Sequence, residues 1–184
     1  MDPVSRSLAS IDINEFERII GYGKNPFSNW LYTLCACAEL LPISICISSA
    51  RKRKFPIIYM NQMFETISGY KRQDMVGKPC SFLQDITDAS EEDLKSVDIK
   101  EEKRQLDILR DDLSKQKPTN VILTNFTATG EMFYNLLNMK PIFENGEYAY
   151  VIAMQYVIPN KDEETVDIYR KKAKTLFDLL PDGV

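Results

Sequence analysis

VILTNFTATGEMFYNLLNMKPIFENGEYAYVIAMQYVI, residues 121–158, reads as three consecutive strands over 121–127, 132–142 and 148–158. Each run is rich in β-branched and aromatic residues, and each joint carries turn chemistry, Ala128-Thr129-Gly130 at the first and Asn145-Gly146 at the second. Asn-Gly between two apolar runs is a strong hairpin signal, because both central residues of a type I′ turn need positive φ. An antiparallel meander is therefore expected. Three side-chain amides, Asn125, Asn135 and Gln155, interrupt these runs. A polar side chain inside a buried strand must find a partner, and three amides so placed can share one ligand. With Leu137 and Met139 they make up the expected inward face, offered to a flat molecule.

Upstream, Gly77-Lys78-Pro79-Cys80-Ser81-Phe82-Leu83-Gln84 places a cysteine in a polar turn backed by aromatic and amide side chains. A helix-like stretch at 70–76 precedes it and Gly77 stops that stretch. The Cys80 sulfur is then held on a short turn facing whatever the fold encloses. Simple packing is the common fate of a free cysteine; the three amides downstream turn the reading of Cys80 toward chemistry.

Taken together, Gly77 to Gln84, Asn125, Asn135 and Gln155 resemble the flavin-binding signature of the LOV (light, oxygen, voltage) photoreceptors, a branch of the PAS domains. The resemblance runs from about Ile45 to Val157 and takes in Phe55-Pro56-Ile57-Ile58-Tyr59, Phe64, Gly69-Tyr70 and Phe82-Leu83-Gln84. It implies an α+β PAS fold, with a five-stranded antiparallel sheet, short helices on one face, and flanking helices at both ends. It further implies that Cys80 forms a reversible covalent adduct with a flavin after blue-light absorption. Asn125 and Asn135 would grip the pyrimidine edge, and Gln155 would flip its amide when the adduct forms. FMN is the implied cofactor, with FAD as the alternative. Cys46, Phe64, Gln84, Leu137 and Met139 are the expected remaining contacts, and Arg110, at family spacing from Asn125, the expected phosphate contact. Two positions depart from the family, which usually carries asparagine where this chain has Pro79 and arginine where it has Ser81. The second departure removes a charge-assisted phosphate contact and lowers the expected affinity. The first rival reading is a PAS module without photochemistry that binds another ligand or a protein. The second is a flavin redox enzyme, against which stands the absence of a glycine-rich dinucleotide loop.

Bulk properties narrow the remaining classes. The 184 residues are 44% hydrophobic and 27% charged, ordinary for one soluble domain with flanking segments. A net charge of -4 argues against nucleic-acid binding through bulk electrostatics. The chain has no histidine, which removes the commonest general base, the usual haem ligand and the histidine-containing triads. The four cysteines, Cys35, Cys37, Cys46 and Cys80, match no metal-ligand spacing. Lone cysteines with apolar neighbours suggest a reducing compartment, cytoplasmic or nuclear, and the N-terminus is no secretory signal. The expectation is a sensory domain whose effector, separate or linked, lies outside the chain.

Along the rest of the chain, residues 1–10 are polar, 11–20 have helical spacing and 21–26 read as a loop. Residues 29–40 read as a helix broken before Pro42 and 43–48 as a buried strand; Glu39 and Pro42 tell against a membrane span. The basic run Arg51-Lys52-Arg53-Lys54 reads as an exposed turn, with attraction to an anionic membrane surface the minor reading. Two short helices are expected at 61–66 and 71–76. Residues 85–105 form a charged insertion, whose Lys103 and Arg104 are candidates to meet the adenosine diphosphate of FAD, and 105–115 a helix. An amphipathic helix at 161–180 starts with a capping box from Asn160 to Glu163 and stops at Pro181-Asp182-Gly183. The expected division is an N-terminal helical cap at 1–41, a core at 42–158 and a C-terminal helix at 159–184. The apolar faces at 29–40 and 166–180 are the two offered to a homodimer.

Overall fold

A computed structural model describes residues 29–180. The readings made for 1–10, 11–20, 21–26 and 181–183 lie outside the described residues. The five strands are β1 (Ser44–Ser49), β2 (Ile57–Met60), β3 (Thr119–Phe126), β4 (Met132–Glu144) and β5 (Glu147–Ile158). They form one antiparallel sheet in the order β2-β1-β5-β4-β3. The helices are α1 (Asn29–Ala38), α2 (Gln62–Ser68), α3 (Arg72–Met75), α4 (Glu91–Ser96), α5 (Ile99–Ser114) and α6 (Glu163–Phe177), with a 3-10 turn at Cys80–Gln84. This is the α+β architecture expected. The meander closes as its turn residues require: Asn145 and Gly146 have φ of 53° and 82°, the pair of left-handed residues of a type I′ turn.

Strand alternation divides the interior into two cores. On one face of the sheet, Cys46, Val121, Leu123, Leu137 and Ala153 meet Phe64, Met75 and Leu83. On the other, Ile47, Leu136, Ile142 and Ile152 meet Leu31 and Cys35 of α1 and Val166 and Ala173 of α6. Trp30 of α1 makes an edge contact with Tyr150 at 5.6 Å between ring centres. The apolar stripe of α6 thus lies on the domain's own sheet. Its start differs from the expected capping box: Asp162 is the cap, accepting from the Thr165 amide at 2.9 Å, while Asn160 accepts from the Asp162 amide at 3.2 Å. Lys140 of β4 closes the other end, donating through Nζ to the Leu180 carbonyl at 2.6 Å.

Two buried polar side chains fasten α1 to the core. Asn61, the cap of α2, accepts at Oδ1 from the amides of Ile45 (2.9 Å) and Phe64 (3.0 Å). Its Nδ2 donates to the carbonyls of Ala38 (2.9 Å) and Ile43 (2.8 Å), so every bond an amide can make is made. Glu39 pairs with Arg72 at 2.8 Å and accepts from the Tyr59 hydroxyl at 2.8 Å and from the Gln62 amide at 3.0 Å. Burial and then the charge of Glu39 push the Tyr59 hydroxyl far above its ordinary range, which keeps it a donor.

The charged segment 85–105 is helical from Glu91 to Ser96 and again from Ile99 onward. Ser90 accepts from the Asp93 amide at the start of α4, and Asp98 from the amides of Lys100 and Glu101 at the start of α5. The expected helix at 105–115 therefore begins at Ile99. α5 covers the outer edge of β3: Glu102 Oε1 accepts from the Thr124 amide at 2.8 Å and Gln105 Oε1 from the Ile122 amide at 3.1 Å. Two outward-facing amides of an edge strand are thereby satisfied, which blunts the edge against pairing with other chains. Gly130 (φ 82°) holds the β3–β4 turn against the carbonyl of Asp88, where a Cβ would collide with backbone. No helix among the described residues is long and apolar enough to cross a membrane.

Candidate functional site

The sheet face carrying the amides, the 3-10 turn and α5 enclose a cavity of about 450 Å³, within the usual range for small-molecule sites. Cys80 and Gln84 reach it from the turn. Asn125, Asn135, Leu137, Met139 and Gln155 reach it from β3, β4 and β5, and Cys46 from β1. Phe64 does not line it; fully buried, it stands behind Phe82 at 6.3 Å between ring centres. Lys103 and Arg104 are also away from the cavity, and Arg104 bonds to Glu101 on the exposed side of α5 at 2.7 Å. Leu106, Leu109 and Leu113 of α5 complete the apolar wall. Their helical spacing was visible in the sequence; the surface they would face was not.

Backbone bonds fix the cysteine turn. The Gly77 amide donates to the Ile57 carbonyl at 2.7 Å and the Ile57 amide to the Lys78 carbonyl at 2.8 Å, which ties the turn to the start of β2. Pro79 is extended, at φ -71° and ψ 150°, and directs Cys80 into the 3-10 turn. Phe82 packs edge-on against Tyr70 at 4.7 Å, and Leu83 is buried beneath. Burying a leucine side chain of this kind stabilises by about 2 kcal/mol.

The three amides touch one another. Asn135 Nδ2 donates to Asn125 Oδ1 at 2.8 Å and to Gln155 Oε1 at 3.2 Å, and Asn125 Nδ2 donates to the Thr124 carbonyl at 3.1 Å. Gln155 Nε2 donates to Cys46 Sγ at 3.8 Å. The register explains the meeting, since Leu123 lies opposite Asn135 and Leu137 opposite Gln155 across adjacent strands. Asn135 Oδ1 is buried and has no protein partner, an acceptor turned to whatever fills the cavity. The Cys46 thiol is held protonated, its pKa pushed well above the ordinary range first by contact with the Cys80 thiol and then by burial.

The charged residues of the cavity wall are Lys54 and Arg110, both cationic. Arg110 also meets Asp107 at 3.2 Å on the exposed side of α5. Lys54 belongs to the basic turn and was not expected here. Lys54 and Phe55 have φ of 71° and 50°, and two successive left-handed residues fold the chain back toward the cavity. Neither is glycine, so nothing in the sequence signalled it. Arg51 does not reach the cavity: it pairs with Glu144 and lies 5.3 Å from the centre of the ring of Tyr150, a residue of the opposite core.

Residues 42–157 match the PAS domain family, described as "PAS domain". The chain belongs to the PAS domain family. Within that family it is a LOV domain. It is 28% identical to a blue-light photoreceptor of Listeria innocua over 77% of this chain and 49% of that protein. It is 31% identical to blue-light-activated histidine kinase 1 of Erythrobacter litoralis over 72% of this chain and 32% of that protein. The solved LOV domain from an Erythrobacter litoralis blue-light-activated histidine kinase superposes with a TM-score of 0.52 at 27% identity, covering 64% of this chain and 96% of that one. The chain spans half or less of the length of these curated relatives. The PAS match coincides with the segment from β1 to β5, the part that builds the cavity.

Proposed function

We propose that the LOV cavity binds an oxidised flavin and that the chain is a blue-light sensory domain. The observation that carries this reading is the convergence on one cavity of Cys80 and a chain of three amides, with a buried acceptor, Asn135 Oδ1, left over. The pyrimidine edge of a flavin presents an N–H between two carbonyls, so it supplies the donor that Asn135 Oδ1 lacks and acceptors for amide N–H groups. The apolar wall from Leu83, Leu106, Leu109 and Leu123 suits the flat ring. When bound, the flavin supplies the absorption of blue light and an electrophilic ring carbon. Cys80 would supply the thiol, which its turn holds nearby, and the ring nitrogen beside that carbon would take the thiol proton, so that no protein base is needed. Gln155 keeps its bond satisfied by rotating its amide, offering oxygen where it had offered nitrogen.

Lys54 and Arg110 suit an anionic group at the far end of the ligand, and Lys54 offsets the missing arginine at Ser81. FMN fits this better than FAD, because Lys103 and Arg104, the residues set aside for a second phosphate, are away from the cavity. The partition into a cap at 1–41, a core at 42–158 and a C-terminal helix at 159–184 follows the output side. A change at Gln155 is passed along β5 to α1 and α6, whose release would expose apolar faces to a second protomer or an effector outside the chain.

The test is an absorption spectrum of dark-purified protein before and after a blue flash, on wild type and on Cys80→Ala. A structured flavin band that bleaches and recovers only with Cys80 present is expected. A bound flavin that never bleaches, or no flavin after refolding with excess FMN, refutes the photochemical reading and leaves a ligand- or protein-binding PAS module.

A further inference from the structure

Two of the four cysteines, on elements far apart in the chain, meet in the wall of one cavity. Cys46 projects from the middle of β1 and is 1% exposed, with Gln155 Nε2 against its sulfur. Cys80 opens the 3-10 turn and is half-buried. Both thiols are free and line the same cavity, and Cys80 packs against the buried cluster that contains Cys46. Cys35 and Cys37 sit on α1, Cys35 in the opposite core and Cys37 exposed.

We infer that Cys46 and Cys80 form a reversible disulfide on exposure to a peroxide, making the cavity a redox-gated site. The inference rests on the placement of the thiols and goes beyond the blue-light reading. Only its consequence, that the oxidised protein cannot respond to light, depends on that reading. The more accessible Cys80 reacts first: its sulfur attacks one peroxide oxygen, the O–O bond breaks, and the departing hydroxide takes a proton to leave as water. The sulfenic acid formed is then attacked by the sulfur of Cys46, which gives up its proton; the S–S bond forms and the hydroxyl leaves as a second water. In sum, two thiols and one hydrogen peroxide give one disulfide and two waters, with two electrons passing from sulfur to oxygen. A thiol reductant such as glutathione reverses it. Confinement of Cys46 is what selects the disulfide, because it stands where a partner for oxidised Cys80 is needed and no other thiol of the described residues lines the cavity.

The experiment treats the full chain with hydrogen peroxide in the dark, alkylates free thiols after denaturation, and maps the peptides by mass spectrometry. The expected product is two hydrogens lighter and contains a Cys46–Cys80 cross-linked peptide, with Cys35 and Cys37 alkylated, and it returns to the starting mass with dithiothreitol. In Cys46→Ser the cross-link is absent and a dimedone-type reagent labels Cys80. Recovery of wild-type protein with Cys80 as sulfenic or sulfinic acid and Cys46 alkylated overturns the inference, as does a disulfide that involves Cys35 or Cys37 instead. Flash bleaching of the untreated protein, recorded in parallel, separates the two readings. Its absence refutes the photochemistry, while the peptide map decides the disulfide by itself.

Discussion

Replacing Asn61 by alanine should be among the most damaging single changes available in this domain. The side chain is fully buried and makes four hydrogen bonds between 2.8 and 3.0 Å, to Ile45, Phe64, Ala38 and Ile43. Each is worth about 1 kcal/mol net, and more where the partner is left buried without water. The bond to the Phe64 amide is also the cap of α2, a feature whose loss alone costs about 1 kcal/mol. The expected loss for Asn61→Ala is about 3–5 kcal/mol, at the upper end of single substitutions. At about 3 °C per kcal/mol this lowers the unfolding midpoint by on the order of 10 °C. Urea unfolding followed by far-UV circular dichroism measures it, with Gln62→Ala, whose side chain is exposed, as the control expected to stay within about 0.5 kcal/mol of wild type. A loss below about 1 kcal/mol for Asn61→Ala would refute the claim that this one side chain fastens α1 to the sheet.

Other consequences can be measured separately. Lys54→Ala and Arg110→Ala should each weaken FMN by about tenfold while leaving riboflavin unchanged, the signature of contacts to phosphate alone; titration by fluorescence quenching reads it, and an equal loss for both ligands rejects the assignment. Glu102→Ala removes the acceptor of the Thr124 amide and should speed hydrogen exchange there about tenfold while the Ile122 amide, held by Gln105, keeps its protection; unchanged exchange at Thr124 would show that the edge is protected by something else. Hydrogen bonds from Arg104 and then Gln105 hold the Glu101 carboxyl down to about 2. A depressed carboxylate stabilises the fold fully above its ordinary value near 4.5 and loses that contribution as pH falls toward 2. Because Glu101 is exposed, the effect on stability is small, and the check is its NMR titration; a midpoint near 4.5 removes the claim.

The sequence made one half of the site legible and hid the other. Asn125, Asn135 and Gln155 could be placed in one meander because the Asn145-Gly146 turn marks the β4–β5 hairpin, whereas the register shift between Ile142 and Phe143, which sets how Asn135 and Gln155 align, carried no signal in the sequence. The cysteine turn was legible because a glycine stops the element before it. Missed signals were present for the insertion: Ser90 and Asp98 are ordinary cap residues, and the density of charge around them masked the short helix α4 and the first turns of α5. The start of α6 went to Asn160 for a similar reason, with three candidate cap residues within a few positions and only the fold to choose among them. Lys54 at the cavity and Glu39 against Arg72 carried no local signal at all. Both depend on where distant elements come to rest, and Lys54 also on a left-handed backbone that its side chain does not favour.

The alternation along β4 has a consequence for how such a domain can vary. Between 133 and 139 the odd-numbered residues touch the ligand side, among them Asn135, Leu137 and Met139, while Tyr134, Leu136 and then Lys140 serve the helices on the reverse. Residue parity therefore keeps two inheritances apart on one strand. Substitution at odd positions can retune what is sensed without disturbing the response, and substitution at even positions can do the converse. Deleting a single residue there would exchange the two sets, turning Asn135 toward α6 and Leu136 into the cavity, so this strand can diverge by replacement but not by change of length.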